Sequence, residues 1–488
     1  MDIRVDGITK KANNLIDISN GDYSAFMRYV VDDTLAIEDS IIIGEFNWKR
    51  IHRFLNSKTN IENLKLSVKY SIFKDNFIMG FRLSSFIQKQ YAISKNLYTK
   101  ERLTGSINME LVIFEKRFSI HRHIIENDIW FQGCNFNDLL IIENVQIDNI
   151  ICFDFCEFRY QQSDFNSISG KGHLQIMNSK SINLSFCNVS TSKLSVITTH
   201  SSGLCNFYAC FPSEINLNSS SFNYLHIKES NERVVNQDGI LLNLQDIKVK
   251  NHFELSQNIN ELTIFNARFN TFNTFDWNMI YRAILKYKIK SQNDYSHIRY
   301  TELGSVTDIY DFKRNLGLVY YFFEQIPIIE NYLKHRENKI RLFKYYENQF
   351  LILRNIFDMQ KVISERDRAL VLHSKYRYRT QNRLYLILGL IGDYGTNPLK
   401  IVLAFFISVF IFGLVYLLFF PECVISANGT NLQFLDYLYF SGITSLTIGY
   451  GDYYPVTGIA KLLTFIEGTI GVFLMSYLVV SFSRKMHN

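Results

Sequence analysis

The sequence predicts a multidomain chain. It reads as an N-terminal all-β, solenoid-like region, a helical connector, and a C-terminal all-α membrane domain with two spans and a re-entrant loop. Three observations carry this. From about residue 110 to 275, apolar and polar residues alternate, the two-residue beat of strands buried on one face. Charges then recur at helical intervals up to about residue 400. Finally, the apolar runs Ile401 to Phe420 and Leu462 to Phe482 each approach the roughly 20 residues that a helix needs to cross a bilayer.

Residues 1–110 form a β-rich region with little pattern. Ile41-Ile42-Ile43 and Leu66-Ser67-Val68 suggest strands, whereas Phe73 to Tyr91 has no clean period. The polar start, Met1-Asp2-Ile3-Arg4, lacks a signal-peptide pattern, so this portion is expected in the cytoplasm. His121 and His123 lie two apart and would share a strand face, as two metal ligands do. Two ordinary histidines beside Arg122 are the expected reading.

Residues 111–275 repeat. Ile182, Leu184 and Phe186 alternate with Asn183 and Ser185, and the beat returns at Ile215/Leu217, Leu225/Ile227, Phe253/Leu255 and Leu262/Ile264. Short strands at even spacing, uninterrupted by long helices, indicate a barrel, a sandwich or a solenoid. Small-polar-aromatic triplets favour the solenoid: Cys134-Asn135-Phe136, Cys156-Glu157-Phe158, Ser163-Asp164-Phe165 and Ala267-Arg268-Phe269, with Cys187-Asn188-Val189 as an aliphatic variant. A small residue two before a large one suits a coil whose interior alternates tight and filled layers. These triplets resemble a degenerate pentapeptide repeat. That resemblance implies right-handed coils of about 20 residues, within the range of stacked repeats. An ordinary antiparallel sandwich is the competing reading. Solenoids expose long faces that often bind proteins. Six of the seven cysteines are expected as small buried residues in a reducing compartment, because their spacings form no zinc pattern.

Residues 276–400 are the connector. Tyr346, Phe350, Leu353 and Phe357 fall on one helical face, and at least three helices are expected. Lys375-Tyr376-Arg377-Tyr378-Arg379 precedes the apolar piece Leu384 to Leu390. That piece is too short to span and is flanked by basic and aromatic residues, so it is expected along the inner membrane face.

Residues 401–488 hold both spans. Ile401 to Ala460 contains no Lys or Arg, while Lys400, Arg484 and Lys485 sit at the far ends. The positive-inside rule then puts both termini of this multi-pass chain in the cytoplasm, with the Pro421 to Asn431 loop outside; the cell inner membrane is the expected location. Between the spans, Leu432 to Ser445 reads as a short helix that Asn431 or Thr430 could cap.

The run Thr444-Ser445-Leu446-Thr447-Ile448-Gly449-Tyr450-Gly451-Asp452 follows that helix. A cation that sheds its water needs replacement oxygens, and backbone carbonyls aligned on an axis provide them. Gly449 and Gly451 allow the required backbone, because they lack a Cβ. The run matches T-x-G-Y-G-D, and residues 401–488 therefore resemble the two-span potassium channel family. The resemblance implies ion binding by Thr447, Ile448, Gly449, Tyr450 and Gly451, and support of the filter by Thr444, Tyr439, Phe440 and Asp452. Tyr439-Phe440 stands where the family often has two tryptophans, and Tyr439 is expected to donate a hydrogen bond to Asp452 of the same chain or of a neighbour. Ile448 and Tyr450 should pack behind the filter.

Gly468 and Gly471 would form the gating hinge, with close helix packing as the alternative role of small residues. Glu467, a carboxylate inside a span, should be hydrogen-bonded or protonated. The Tyr-Gly-x-x-Pro stretch at Tyr394 resembles that of bacterial two-span channels with pentapeptide-type cytoplasmic domains.

Four copies are implied, since one chain supplies a quarter of each carbonyl ring. The expected partners are potassium ions, membrane lipids, three further copies, and a cytoplasmic protein or ligand that acts as trigger. No cofactor is expected beyond potassium in the pore. The formal charge of +6 comes without a basic stripe, which argues against nucleic acid. No arginine-bearing span suggests voltage sensing, and no nucleophile–base set suggests an enzyme. The chain ends six residues after Phe482, so regulation is expected from the N-terminal side. A membrane-anchored binding scaffold and a trigger-released depolarising defence effector are the rival functions.

Overall fold

In a computed structural model, residues 2–5, 8–61, 63–79, 101–229, 239–264, 266–274, 277–286, 327–380, 385–429 and 432–486 are described. The chain divides into two compact units, Met1–Lys288 and Ile289–Asn488.

The first unit is a parallel β-solenoid. One eleven-stranded sheet stacks a strand from each coil, and an eighteen-stranded sheet holds other sides of the same coils. The register is direct: Ile107 pairs with Ile129, then Ile151, Leu174, Leu194, Ile215 and Leu242. Successive partners are thus 20 to 27 residues apart, which does not establish a pentapeptide repeat. Parallel pairing also joins Leu15 to Ile41 and Leu35 to Leu66, so the stack includes part of the chain whose sequence has little period.

The coil is filled by an aromatic ladder. Phe73, Phe114, Phe136 and Phe158 stack face to face in sequence, at centroid distances of 5.3, 4.9 and 5.4 Å. Phe165, Phe186 and Phe207 continue the theme at 4.9 and 4.8 Å. Parallel stacking places equal residues one rung apart, close to the strand spacing of about 4.8 Å, which suits offset aromatic contacts.

The triplets play two different parts. Cys134 and Cys156 lie inside, where each thiol meets a backbone carbonyl of the preceding coil at 3.4 Å (Met109 and Phe131). Burial holds the Cys156 thiol well above its usual range. Ser179, Thr199 and Ser220 continue the ladder: the Ser179 hydroxyl accepts from the Cys156 amide at 3.0 Å, and that of Ser220 from Thr199 at 3.0 Å. Ser163-Asp164-Phe165, by contrast, lies within the strand Ser163–Asn166, and Asn188 of Cys187-Asn188-Val189 is a corner at φ +54°.

The expected strand face shared by His121 and His123 does not form. Arg122 between them adopts φ +58°. The chain therefore turns, and the two histidines fall in different sheets. Both are buried, with His121 3.5 Å from Glu143 and His123 Nδ1 2.7 Å from the His121 carbonyl.

Helix α1 (Trp48–Thr59) interrupts the early coils, and α2 (Trp277–Lys286) follows the last strand. Ile280, Ala283 and Ile284 of α2 are buried, and Trp277 meets Phe272 edge-on at 5.2 Å.

The second unit opens with α3 (Pro327–Met359) and α4 (Ile363–Thr380), which pack together. Tyr346, Phe350, Leu353 and Phe357 are all buried, as the helical spacing predicts. Tyr376 of α4 stacks on Phe350 at 5.9 Å.

His373 is buried in this pair, with no hydrogen-bond partner for Nδ1. Burial pushes its pKa down to about 4, and Arg354, Arg377 and Lys344 add to the shift. These outweigh Glu347, whose carboxylate is 3.9 Å away. The folded pKa lies below the unfolded one, so stability is present above about pH 6.5 and is lost as pH falls towards 4. The loss from pH 7 to 5 should be about 2 kcal/mol. Hydrogen exchange of the α3–α4 amides should show it, and His373→Gln should remove it. An unchanged pH profile in the variant would refute the assignment.

Beyond α4 come α5 (Leu386–Gly392), α6 (Pro398–Phe419), α7 (Phe434–Ser445) and α8 (Gly458–Met486). Helices α6 and α8 are long and apolar enough to cross a membrane. Asn397 caps α6 by accepting from the Lys400 amide at 3.3 Å, and Pro398 takes the first turn, where a missing N–H costs nothing. Short strands Val424–Ser426 and Tyr453–Pro455 pair antiparallel between the spans.

Candidate ion-conduction site

Helix α7 begins at Phe434, two residues later than the sequence suggests. Its start is fixed by the Gln433 amide donating to Asp436 at 2.7 Å. The proposed caps Thr430 and Asn431 lie outside the described residues. One face of α7 is buried: Tyr437, Phe440, Ser441, Ile443 and Ser445. Phe440 meets Tyr416 of α6 edge-on at 5.2 Å, and the Tyr437 hydroxyl donates to the Pro421 carbonyl at 2.7 Å. The helix is thereby wedged against α6.

The loop after α7 has an unusual backbone. Thr447, Gly449 and Gly451 have φ of +56°, +56° and +80°, while Ile448 and Tyr450 between them are not left-handed. Alternate handedness turns successive carbonyls to one side of the chain, where an extended strand would alternate them. Gly449 and Gly451 take this conformation freely. Thr447 is β-branched and pays for it. Two hydrogen bonds hold it there: the Thr447 amide donates to Thr444 and the Ile448 amide to Ile443, both at 2.9 Å. Sequence reading found the glycines and missed the strained threonine.

Ile448 and Tyr450 are 47% and 69% exposed, so a single chain does not pack them. Asp452 accepts from the Tyr453 amide at 3.1 Å, and its carbonyl accepts from Ala427 at 2.8 Å. Tyr439 interacts with Asp452 electrostatically and meets Tyr453 edge-on at 5.7 Å. Tyr453 in turn donates to Asp436 at 3.0 Å.

Glu467 of α8 is fully buried. Tyr416 donates to it at 2.8 Å and Ser445 at 3.0 Å, and Ser441 donates as well. One carboxylate thus ties α6, α7 and α8 together, in the hydrogen-bonded state that a span requires of it. A signal for two of its partners was present: Ser441 and Ser445 lie four apart, on one face of a mainly apolar helix.

Helix α8 continues unbroken through Gly468 and Gly471. A Cβ added at Gly471 would lie 2.0 Å from the Ser445 carbonyl oxygen, whereas at Gly468 the nearest atom is 3.7 Å away. Gly471 therefore serves close approach of α8 to the end of α7. Gly471→Ala should force the helices apart and lower the thermal midpoint, and Gly468→Ala should not. Equal midpoints for the two variants would contradict this.

At the other end of α8, Arg484 donates to the Tyr394 carbonyl at 2.8 Å and the Tyr477 hydroxyl to the Leu388 carbonyl at 3.1 Å. Tyr394 also stacks on Tyr378 of α4 at 5.6 Å. The connector thus grips the last turns of α8. Ile387 and Leu390 of α5 point apolar surface outward.

Two membrane-competent helices flanking a short helix and a loop of alternating backbone handedness have the layout of an ion channel pore domain. Residues 404–488 match the family described as ion channel. Over 54 residues, 11% of this chain, the sequence is 44% identical to the two-pore potassium channel 4 of Arabidopsis thaliana. The matched stretch spans 19% of that relative's length. No solved structure matches the chain.

Proposed function

We propose that the protein is a potassium-selective channel of four identical chains, with Thr447, Ile448, Gly449, Tyr450 and Gly451 forming the filter. The single observation that supports it best is the alternating left-handed backbone at Thr447, Gly449 and Gly451, which suits rings of carbonyls that replace water around a dehydrated ion. Ile448 and Tyr450, exposed in one chain, then become packing surface between neighbours. Thr444, Tyr439, Phe440 and Asp452 brace the loop from behind. Both termini lie in the cytoplasm of a cell with this chain in its inner membrane, on the basic residues that flank the spans.

The solenoid acts as sensor or docking module. Its path to the gate is α4, the Tyr394 turn and Arg484 at the end of α8. Gly468, with room around it, is the hinge, and Gly471 is the contact it moves beside.

Ion flux from vesicles holding the purified chain tests this reading. Potassium efflux without sodium efflux is expected. If the full chain is silent, Arg484→Ala should release flux by loosening the connector's grip. Silence in both forms would favour a scaffold with a vestigial pore.

A further inference from the structure

Three ligating side chains meet on the outer face of the solenoid, far along the sequence from the channel domain. His226 lies in the strand Ser221–Lys228, and His252 and Glu254 lie in Lys248–Ser256 on the next coil. His226 pairs directly with Glu254, and Tyr224 with His252. Residues two apart on a strand face the same side, and rungs are about 4.8 Å apart. The stack therefore places three donors on one patch, and one ligand atom from each lies within 4.8 Å of the others. The imidazoles of His226 and His252 are 5.9 Å apart between centroids, at 84° to one another. All three residues are half-buried.

The hydrogen bonds around the cluster prepare it. The Thr271 hydroxyl donates to the Asn251 carbonyl at 2.9 Å, so its oxygen is left to accept. His252 Nδ1 is 2.7 Å from that oxygen and must be the donor. The proton on Nδ1 puts the lone pair on Nε2, the arrangement that metal-bound imidazoles use when their other nitrogen is held by a neighbour. Lys228 holds one Glu254 oxygen at 2.8 Å and leaves the second.

We propose that His226, His252 and Glu254 form a binding site for a divalent transition cation, zinc above all, that bridges two coils of the solenoid. Two imidazoles and one carboxylate match zinc's preference for nitrogen and oxygen donors, with a fourth position left for water or a partner's side chain. The cation would pin the strand Ser221–Lys228 to Lys248–Ser256. It would also give the cytoplasmic module a ligand whose supply can vary.

Equilibrium dialysis of the full chain in detergent against zinc chloride, after stripping with chelator, tests the proposal, with cobalt(II) absorption as a second readout. The wild type should take up one zinc per chain at this site, with the stronger visible bands of low-coordinate cobalt. His226→Ala and His252→Ala should each lose that equivalent. Thr271→Val keeps every ligand and frees the His252 ring, and should weaken binding about 10-fold or more. Lys228→Gln should bind at least as tightly as wild type. Uptake unchanged in the His226→Ala/His252→Ala double variant would overturn the site. So would a loss in Lys228→Gln as large as that in His252→Ala, since that pattern means local unfolding and not ligation.

Discussion

Gly449→Asp is expected to abolish selective potassium flux while the chain still folds. Gly449 sits at φ +56°, a region that costs a residue with a Cβ about 1–2 kcal/mol. In the proposed four-chain assembly that strain would repeat around one axis, together with four carboxylates beside the path. A Cβ there meets no atom of its own chain within 4 Å, so packing within the chain should survive. Gly429 supplies the control. It too is left-handed, at φ +70°, with no atom within 4 Å of an added Cβ, but it lies in the turn after Val424–Ser426. Gly429→Asp should conduct as wild type. If both variants conduct, the loop is not the conduction path. If both fail, the loss belongs to left-handed strain in general and not to the filter.

Glu467→Ala should be the most destabilising single change in the membrane domain. It removes an acceptor shared by Tyr416, Ser441 and Ser445 and leaves a gap beside those hydroxyls, of which Ser441 keeps the Val409 carbonyl at 2.8 Å. Hydrogen bonds inside membranes contribute about 1 kcal/mol each. With the Tyr416 and Ser445 bonds lost and a cavity left, the loss should be about 3 kcal/mol or more. Tyr416→Phe deletes one bond and should cost about 1 kcal/mol. Because Ser445 ends α7 directly before the loop, Glu467→Ala should also shorten the conducting state. Equal thermal midpoints for Glu467→Ala and Tyr416→Phe would show that the carboxylate does not organise the three helices.

The parts of this protein differ in how far they could be read from sequence, for physical reasons. The left-handed backbone at Gly449 and Gly451 was legible because only a residue without a Cβ takes it freely. The face Tyr346, Phe350, Leu353 and Phe357 was legible because helix burial follows a fixed period. The solenoid was legible as alternating strands, but its coil boundaries were not. Its corners are left-handed at Leu111, Arg122, Phe155, Thr198 and Ala209, residues that carry no turn signal. Stacking imposes the bend there and overrides local preference. That is also why His121 and His123, two apart, ended in different sheets. Ser441 and Ser445 stand out in sequence as a polar pair, but their meeting with Glu467, and that of Arg484 with the Tyr394 carbonyl, comes only from packing.

The central claim is that this chain conducts potassium in preference to sodium through the Thr447–Gly451 loop. The most direct test is the reversal potential of single channels in a planar bilayer, with potassium on one side and sodium at equal concentration on the other. Current should reverse far from zero, in the direction that potassium selectivity dictates. Reversal near zero in channels that do open would mean that the pore does not distinguish the two ions, and would contradict the account.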